Sequence, residues 1–128
     1  PVRVQTESGR YPTDIVYFKT AEREGEVWHP TQKPVAMGRY FVRTFTNPGD
    51  VVLDNTCGSG SFLVAAMLEG RNFFGIELND DNERFKKTPI DLIEVCHNRL
   101  AKAWAQLPQP HRQHLTQTGI VKELETQS

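Results

Sequence analysis

The sequence predicts an α/β domain in which parallel strands alternate with helices. Residues 51–53, Val-Val-Leu, form a short β-branched and aliphatic run that ends at a turn with two glycines, residues 54–60. Residues 61–69 then have the composition of a helix, and residues 72–78 form a second strand-like run. This order makes one β-α-β unit, whose two strands lie parallel in one sheet. The continuous apolar character of residues 51–53 is typical of a strand buried on both faces.

Shorter patterns predict the elements before this unit. Residues 15–18, Ile-Val-Tyr-Phe, favour a strand within a lead-in segment, residues 1–28. Pro34 suits the first turn of a helix, because the N–H that proline lacks has no partner there. The apolar residues expected to share one face of that helix are Val35, Phe41, Val42 and Phe45.

The second half of the chain predicts one long helix and a polar tail. Residues 88–91, Thr-Pro-Ile-Asp, supply an N-cap, a proline at the first helical position and an acid at the third. Apolar residues continue at helical spacing to about Trp104. Residues 105–128 are rich in glutamine, proline and charge, so we expect a linker or a poorly ordered end after a main region at 29–104.

Composition sets limits on function without naming one. The chain has 128 residues, is 38% hydrophobic and carries a net charge of −1, so it fits one domain, or part of one, without the basic excess of many nucleic-acid-binding proteins. No segment reaches the roughly 20 apolar residues of a membrane span and no signal peptide is recognised, so we expect a cytoplasmic protein. Cys57 and Cys96 have no CxxC partner spacing, which argues against a disulfide framework and against a metal site.

The turn after residues 51–53 is the first feature with a chemical implication. Ligands of parallel sheets bind beyond the carboxyl ends of the strands, and Gly58 and Gly60 would let a ligand approach the backbone closely. Glu77 closes the next predicted strand, 23 residues after Asp54. An acid about 20 residues after such a turn can accept both ribose hydroxyls of an adenosine. A tight turn without ligand and an exposed strand-end carboxylate are the alternatives.

A nicotinamide-dependent enzyme uses the same geometry and is a competing interpretation. Its fingerprint needs a third small residue for the helix to pack under a pyrophosphate, and that position is occupied by Leu63. S-adenosyl-L-methionine contains an adenosine and no phosphate, so it does not require the third glycine. The pattern therefore favours S-adenosyl-L-methionine over a dinucleotide.

Two motifs together resemble a known family. Residues 29–35, His-Pro-Thr-Gln-Lys-Pro-Val, and residues 47–60, Asn-Pro-Gly-Asp-Val-Val-Leu-Asp-Asn-Thr-Cys-Gly-Ser-Gly, are similar to the cofactor region of bacterial and phage DNA methyltransferases that modify adenine N6 or cytosine N4. The resemblance runs from about Arg10 to Leu78. It implies a partial Rossmann-like methyltransferase fold and, in the permuted order of the family, a cofactor half that follows the catalytic and target-recognition half.

The resemblance also implies roles for individual residues. Asp54 and the backbone of residues 55–60 would surround the methionine moiety and the sulfonium, and Glu77 would hold the ribose. Leu78 or Asn79 would border the adenine. The residues implied in cofactor binding are Thr31, Gln32, Lys33, Asp54, Asn55, Cys57, Gly58, Ser59, Gly60, Glu77, Leu78 and Asn79. A lysine suits the methionine carboxylate, and His29 is expected to orient the loop rather than to catalyse.

One feature of the family is absent from the sequence. These enzymes hold a flipped base with an Asp, Asn or Ser that is followed by two prolines and an aromatic residue, and the chain contains no Pro-Pro pair. We therefore assign no catalytic residue and expect a missing half, or a partner subunit, to supply that motif and the contacts to double-stranded DNA. The alternatives are a non-catalytic cofactor-binding module and a methyltransferase of RNA or small molecules.

Overall fold

In the part of the chain that the structure describes, three parallel strands in the order β1-β2-β3 form one sheet. The structure is a computed structural model that describes residues 15–29, 31–79, 90–112, 115 and 118–122. The strands are β1 Val51–Asp54, β2 Asn72–Glu77 and β3 Thr118–Lys122. With the helix between β1 and β2, this arrangement confirms the predicted α/β fold and its β-α-β unit.

Four helices accompany the sheet within the described residues. They are α1 Val35–Phe45, α2 Ser61–Leu68, α3 Leu92–Gln106 and the short α4 Gln109–Arg112, and a 3-10 turn forms at Ala21–Arg23. Helix α2 contacts both β1 and β2 and also packs between α1 and α3. It is apolar around its whole circumference, as a helix enclosed on all sides must be, and Leu63, Ala65 and Ala66 are 0% exposed.

The hydrophobic core lies between the sheet and the three longer helices. Its buried members come from α1, α2, β2 and α3, from the turn that joins β1 to α2 and from the residue after α3. They are Val42, Cys57, Leu63, Val64, Ala66, Met67, Phe73, Cys96, Leu100, Ala103 and Leu107. The core therefore forms on one face of the sheet, directly behind the turn at residues 55–60.

The opposite face of the sheet is open, which contradicts the expectation that β1 is buried on both faces. Val51 is 48% exposed and Leu53 66% exposed. Leu53 is paired with Phe74 on β2, which is 38% exposed. The helices that contact β1 and β2 pack on one side only, so the described residues leave these side chains to solvent.

The prediction for the polar tail was wrong for two segments. Residues 109–112 form α4, and residues 118–122 form β3, which pairs with β2 in parallel register from Phe73 opposite Thr118 to Glu77 opposite Lys122. The composition of residues 105–128 does not indicate this strand, because the strand is stabilised by backbone pairing with a distant neighbour rather than by a local hydrophobic pattern.

The predictions before β1 need two further corrections. Residues 15–18 form no strand, because no described segment pairs with them. In α1 the expected apolar face is wrong in part: Phe41 and Phe45 are 38% and 71% exposed, whereas Gly38, Tyr40 and Val42 are buried. The close approach of α2 at Gly38 decides which side of α1 faces inward.

Helix α3 begins later than expected. Asp91 is its N-cap rather than its third residue, and the carboxylate accepts a hydrogen bond from the N–H of Glu94 at 3.0 Å. The expected N-cap and proline, residues 88 and 89, lie outside the described residues. Over the described part of the chain, no helix has the length and apolar character needed to cross a membrane.

Candidate functional site

The turn between β1 and α2, residues 55–60, is held in one conformation by its own backbone. Gly58 and Gly60 have φ angles of 55° and 86°, in the left-handed region that favours glycine. The N–H of Gly60 donates to the carbonyl of Cys57 at 2.8 Å, and the carbonyl of Gly60 accepts from Val64 at 2.9 Å as α2 begins. We call residues 55–60 the glycine loop.

Glu77 binds the glycine loop directly. One carboxylate oxygen of Glu77 accepts a hydrogen bond from the N–H of Gly58 at 2.7 Å, and the other accepts from the N–H of Asn79 at 3.1 Å. The N–H of Cys57 also donates to the carbonyl of Ile76 at 2.9 Å. Because each carboxylate oxygen has two lone pairs, Glu77 retains acceptor capacity for a ligand hydroxyl.

In the segment at residues 29–33, the described residues 29 and 31–33 lie against the other side of the glycine loop. Ring nitrogen Nε2 of His29 lies 3.1 Å from the hydroxyl of Ser59. That hydroxyl also donates to the side-chain carbonyl of Gln32 at 3.1 Å. The ammonium of Lys33 donates to the carbonyl of Thr31 at 3.2 Å, so it stays close to the same segment.

A cavity of about 460 Å³ opens between these parts, within the range of small-molecule sites. It lies at the carboxyl end of β1, where parallel sheets bind ligands. Its lining residues are His29, Thr31, Lys33, Val52, Leu53, Asp54, Thr56, Cys57, Gly58, Ser59, Ser61 and Phe62. Six of the sequence-predicted residues are therefore brought together here: Thr31, Lys33, Asp54, Cys57, Gly58 and Ser59.

The other six predicted residues lie outside the cavity wall. Glu77 holds the loop through the N–H of Gly58, whereas Asn55 and Leu78 are exposed. Gly60 is buried against α3, where an added Cβ would overlap the sulfur of Cys96. Its lack of a side chain therefore makes room for the sulfur of Cys96.

Gln32 and Asn79 both have supporting contacts. The side-chain carbonyl of Gln32 accepts from the N–H of Trp28 at 2.9 Å, and its amide nitrogen donates to the carbonyl of Glu26 at 3.2 Å. Asn79 accepts from the N–H of Leu92 at 2.8 Å and so fastens the start of α3. Each side chain fixes the backbone beside the cavity.

The cavity wall contains a carboxylate that is partly removed from water. Burial raises the pKa of Asp54 and the nearby Glu77 carboxylate raises it further, against a lowering effect of the hydrogen bond from the N–H of Thr56. A cation placed in the cavity would therefore relieve an unfavourable concentration of negative charge.

The thiols of Cys57 and Cys96 meet behind the loop. The hydrogen bond between them, together with burial, raises the pKa of the Cys57 thiol, so it stays protonated at neutral pH. Among the residues that the structure describes, no group of three or more His, Cys, Asp or Glu side chains could hold a metal ion.

Sequence reasoning missed two residues that shape the site. The carboxylate of Glu24 accepts hydrogen bonds from the N–H groups of Val35 and Ala36 at 2.6 and 2.9 Å, so it caps α1 from a distance. Arg99 on α3 donates to the loop through its guanidinium. A charged residue one turn after Cys96, on the buried face of α3, was the available signal for Arg99.

Comparisons with known proteins agree with this geometry. A family model described as DNA methylase (N6_N4_Mtase) matches residues 3–87. The chain is 45% identical over 60 residues to the "Putative methylase YubD" of Escherichia coli (strain K12), covering 47% of this chain and 26% of that protein. It is 31% identical over 97 residues to "DNA adenine methyltransferase YhdJ" of Escherichia coli (strain K12), covering 76% of this chain and 32% of that protein.

A solved structure is also similar. The structure described as "crystal structure of M1.HpyAVI-SAM complex" aligns with a TM-score of 0.53 and 29% identity, covering 71% of this chain and 42% of that one. The chain thus spans between a quarter and about two fifths of the length of these three relatives. Because the family model matches well over half of its residues, the chain belongs to the N6_N4_Mtase family of DNA methylases.

Proposed function

We propose that the chain is the S-adenosyl-L-methionine-binding part of a DNA methyltransferase that acts on an exocyclic amine, N6 of adenine or N4 of cytosine. The observation that carries the proposal is an open cavity lined by the glycine loop and the segment at residues 29–33, with Glu77 bound to the loop. The solved relative in complex with this cofactor supports the choice of ligand.

The described residues fit the chemistry of this cofactor. The raised pKa of Asp54 marks a carboxylate that gains from a neighbouring cation, and the sulfonium is such a cation. Glu77 can accept ribose hydroxyls while it holds Gly58 and Asn79. The ammonium of Lys33 would neutralise the methionine carboxylate.

The remaining residues of the site have smaller roles. Thr31, Cys57 and Ser59 would line the methionine moiety, with Gln32 holding Ser59 in place. Asn55 and the backbone of Gly58 and Gly60 would complete the loop around it, and Leu78 or Asn79 would border the adenine.

The cofactor, when bound, would supply an electrophilic methyl group for transfer to the exocyclic amine. The residues of this chain would bind and orient that methyl group. Alignment of the two reactants can supply about 7–11 kcal/mol of rate enhancement in favourable cases. The target base must leave the duplex to reach the site.

The open face of the sheet supports the proposal that a further polypeptide completes the enzyme. Val51, Leu53 and Phe74 form an apolar surface that the described residues leave exposed. An exposed apolar strand favours association with another protein surface. We propose that the covering polypeptide carries the base-binding motif and the contacts to double-stranded DNA. The complete enzyme would work in the cytoplasm, in a restriction-modification or phage setting.

Calorimetric titration tests the cofactor site. The chain should bind S-adenosyl-L-methionine, and Glu77→Ala should weaken binding of both this cofactor and adenosine by about 1–3 kcal/mol, since both contain the ribose. Lys33→Ala should weaken S-adenosyl-L-methionine and leave adenosine unchanged, because adenosine has no carboxylate. Wild-type affinity in the Glu77 variant, or equal losses for both ligands in the Lys33 variant, would contradict the assigned roles.

A transfer assay tests the reaction. With tritiated S-adenosyl-L-methionine and duplex DNA, the chain alone should give background label, and addition of a polypeptide with the base-binding motif should transfer label to adenine or cytosine. Binding without any restored transfer would favour a non-catalytic module. In a parallel assay with RNA in place of DNA, label on RNA together with none on DNA would favour an RNA methyltransferase.

A further inference from the structure

The hydroxyl of Ser59 is the point where three segments of the chain meet. Ser59 is 1% exposed. Its hydroxyl oxygen lies 3.1 Å from Nε2 of His29, 3.1 Å from the side-chain carbonyl of Gln32 and 3.1 Å from Nη1 of Arg99. The glycine loop, the segment at residues 29–33 and helix α3 are therefore joined at one atom.

The direction of each of these hydrogen bonds follows from the partners. Gln32 accepts through its carbonyl oxygen, because that oxygen also receives the N–H of Trp28 while its nitrogen donates to Glu26. Ser59 must therefore give its single proton to Gln32. A guanidinium only donates, so Arg99 donates a hydrogen bond to the hydroxyl oxygen of Ser59. The second lone pair of that oxygen accepts from His29, whose Nε2 must therefore carry the ring hydrogen.

Arg99 makes two further contacts with the loop. The same Nη1 also lies 2.8 Å from the carbonyl of Ser59 and 3.1 Å from the hydroxyl of Ser61, so its two N–H groups are shared among three acceptors. Ser61 is the first residue of α2 and is 5% exposed. These are charge-assisted bonds in a half-buried place, where burial lowers the pKa of the guanidinium without making it neutral.

We propose that Arg99 is a positioning residue of the cofactor site, which holds the carbonyl of Ser59 and the hydroxyls of Ser59 and Ser61 on the α3 side of the glycine loop. The N–H groups and the cavity-facing surface of the loop are thereby kept in place for a ligand. Arg99 lies beyond residues 3–87, the part matched by the family model. The proposal rests on the proposed function for the identity of the ligand.

Two measurements on the 128-residue chain test the proposal. Arg99→Ala should weaken S-adenosyl-L-methionine about tenfold in calorimetric titration, since the loop loses several charge-assisted bonds. Amide hydrogen exchange should accelerate in a peptide covering residues 57–62 and stay unchanged in one covering α1. Lys102→Ala, an exposed cation one turn further along α3, is the matched control and should change neither.

Chemical rescue distinguishes a positioning role of Arg99 from a general packing role. Arg99 lines a groove of about 640 Å³ on the α3 side of the molecule, through which a small cation can reach the position of the lost guanidinium. Millimolar methylguanidinium should restore affinity in Arg99→Ala, and methylammonium should restore less, because it cannot reach several acceptors at once. If the alanine variant does not fold, Arg99→Lys replaces it and should give an intermediate affinity.

The outcomes distinguish this proposal from the proposed function. A wild-type chain that binds no S-adenosyl-L-methionine would contradict the proposed function. Amide hydrogen exchange at residues 57–62 would still test whether Arg99 holds the loop. Unchanged exchange at residues 57–62, or wild-type affinity in Arg99→Ala, would overturn the role of Arg99. Faster exchange over the whole chain without rescue would overturn it as well, since that result indicates a general packing role.

Discussion

The two faces of the sheet differ in how completely this chain covers them. On one face, α2 presents Leu63 at 0% exposure, and the glycine loop is held there by Glu77 and Arg99. On the other face, Val51 and Leu53 are 48% and 66% exposed. The described residues thus shape the glycine loop, but they leave one face of the sheet exposed. This difference is the structural reason to expect a larger assembly.

The largest expected effect concerns the closed face at Gly60. A Cβ at this position would overlap the sulfur of Cys96, and Gly60 has a φ of 86°. Gly60→Ala should destabilise the chain by about 1–2 kcal/mol for the backbone conformation and about 1–3 kcal/mol more for overpacking. Urea unfolding measures the sum.

Gly25→Ala is the matched control for Gly60→Ala. Gly25 also has a positive φ, 133°, but nothing lies within 4 Å of an added Cβ. Gly25→Ala should therefore lose only the stability that the backbone conformation costs, without a contribution from overpacking. Equal losses in the two variants would mean that Cys96 moves aside freely. Addition of Cys96→Ala to Gly60→Ala should recover part of the stability if the sulfur is the obstacle.

A leucine-to-alanine substitution on each of the two faces gives an effect of comparable size on the closed face only. Leu63→Ala should cost about 2–5 kcal/mol in urea unfolding, because Leu63 is fully buried. Leu53→Ala should change the stability of the isolated chain by no more than about 0.5 kcal/mol, because Leu53 is largely exposed.

Leu53→Ala should show its effect only in the presence of a covering polypeptide. If the open face is an interface, this variant should associate more weakly in sedimentation experiments, whereas the isolated chain should remain close to wild type. A large loss of stability in the isolated chain would instead show that part of the same chain covers this face.

The smallest expected effect concerns Asp54 and depends on pH. Burial raises the pKa of Asp54 in the folded chain, so its protonated form stabilises the fold and that contribution is lost as pH rises through the folded pKa. Asp54→Asn should therefore be slightly more stable than wild type at pH 7, by less than the effect of Leu63→Ala. The difference should vanish below about pH 4, the ordinary pKa of aspartate.

Thermal unfolding at a series of pH values measures this difference. The same variant should bind S-adenosyl-L-methionine more weakly at pH 7, because the carboxylate that favours a cation is gone. A variant that is less stable than wild type at pH 7 would show that the hydrogen bond from Thr56 outweighs the cost of burial.

Local pattern was sufficient to predict the central unit of the fold. The β-branched run at residues 51–53, the glycines that follow it and the strand ending at Glu77 have a spacing that only a β-α-β unit satisfies. The meeting of Glu77 with the glycine loop followed as well, since parallel strands place their carboxyl ends at one edge. Short-range chemistry determines these features.

Other features depend on contacts between distant segments, which a single sequence does not reveal. Strand β3 exists because β2 offers a backbone to pair with, and the inward side of α1 is decided by α2 at Gly38. The roles of Gly60 and Arg99 also depend on where α3 packs against the glycine loop. The sequence by itself determined the central β-α-β unit and the edge of the sheet where Glu77 meets the glycine loop. Only the tertiary structure decided which face is open and which residues hold the loop, because burial and long-range hydrogen bonds are properties of the packed chain.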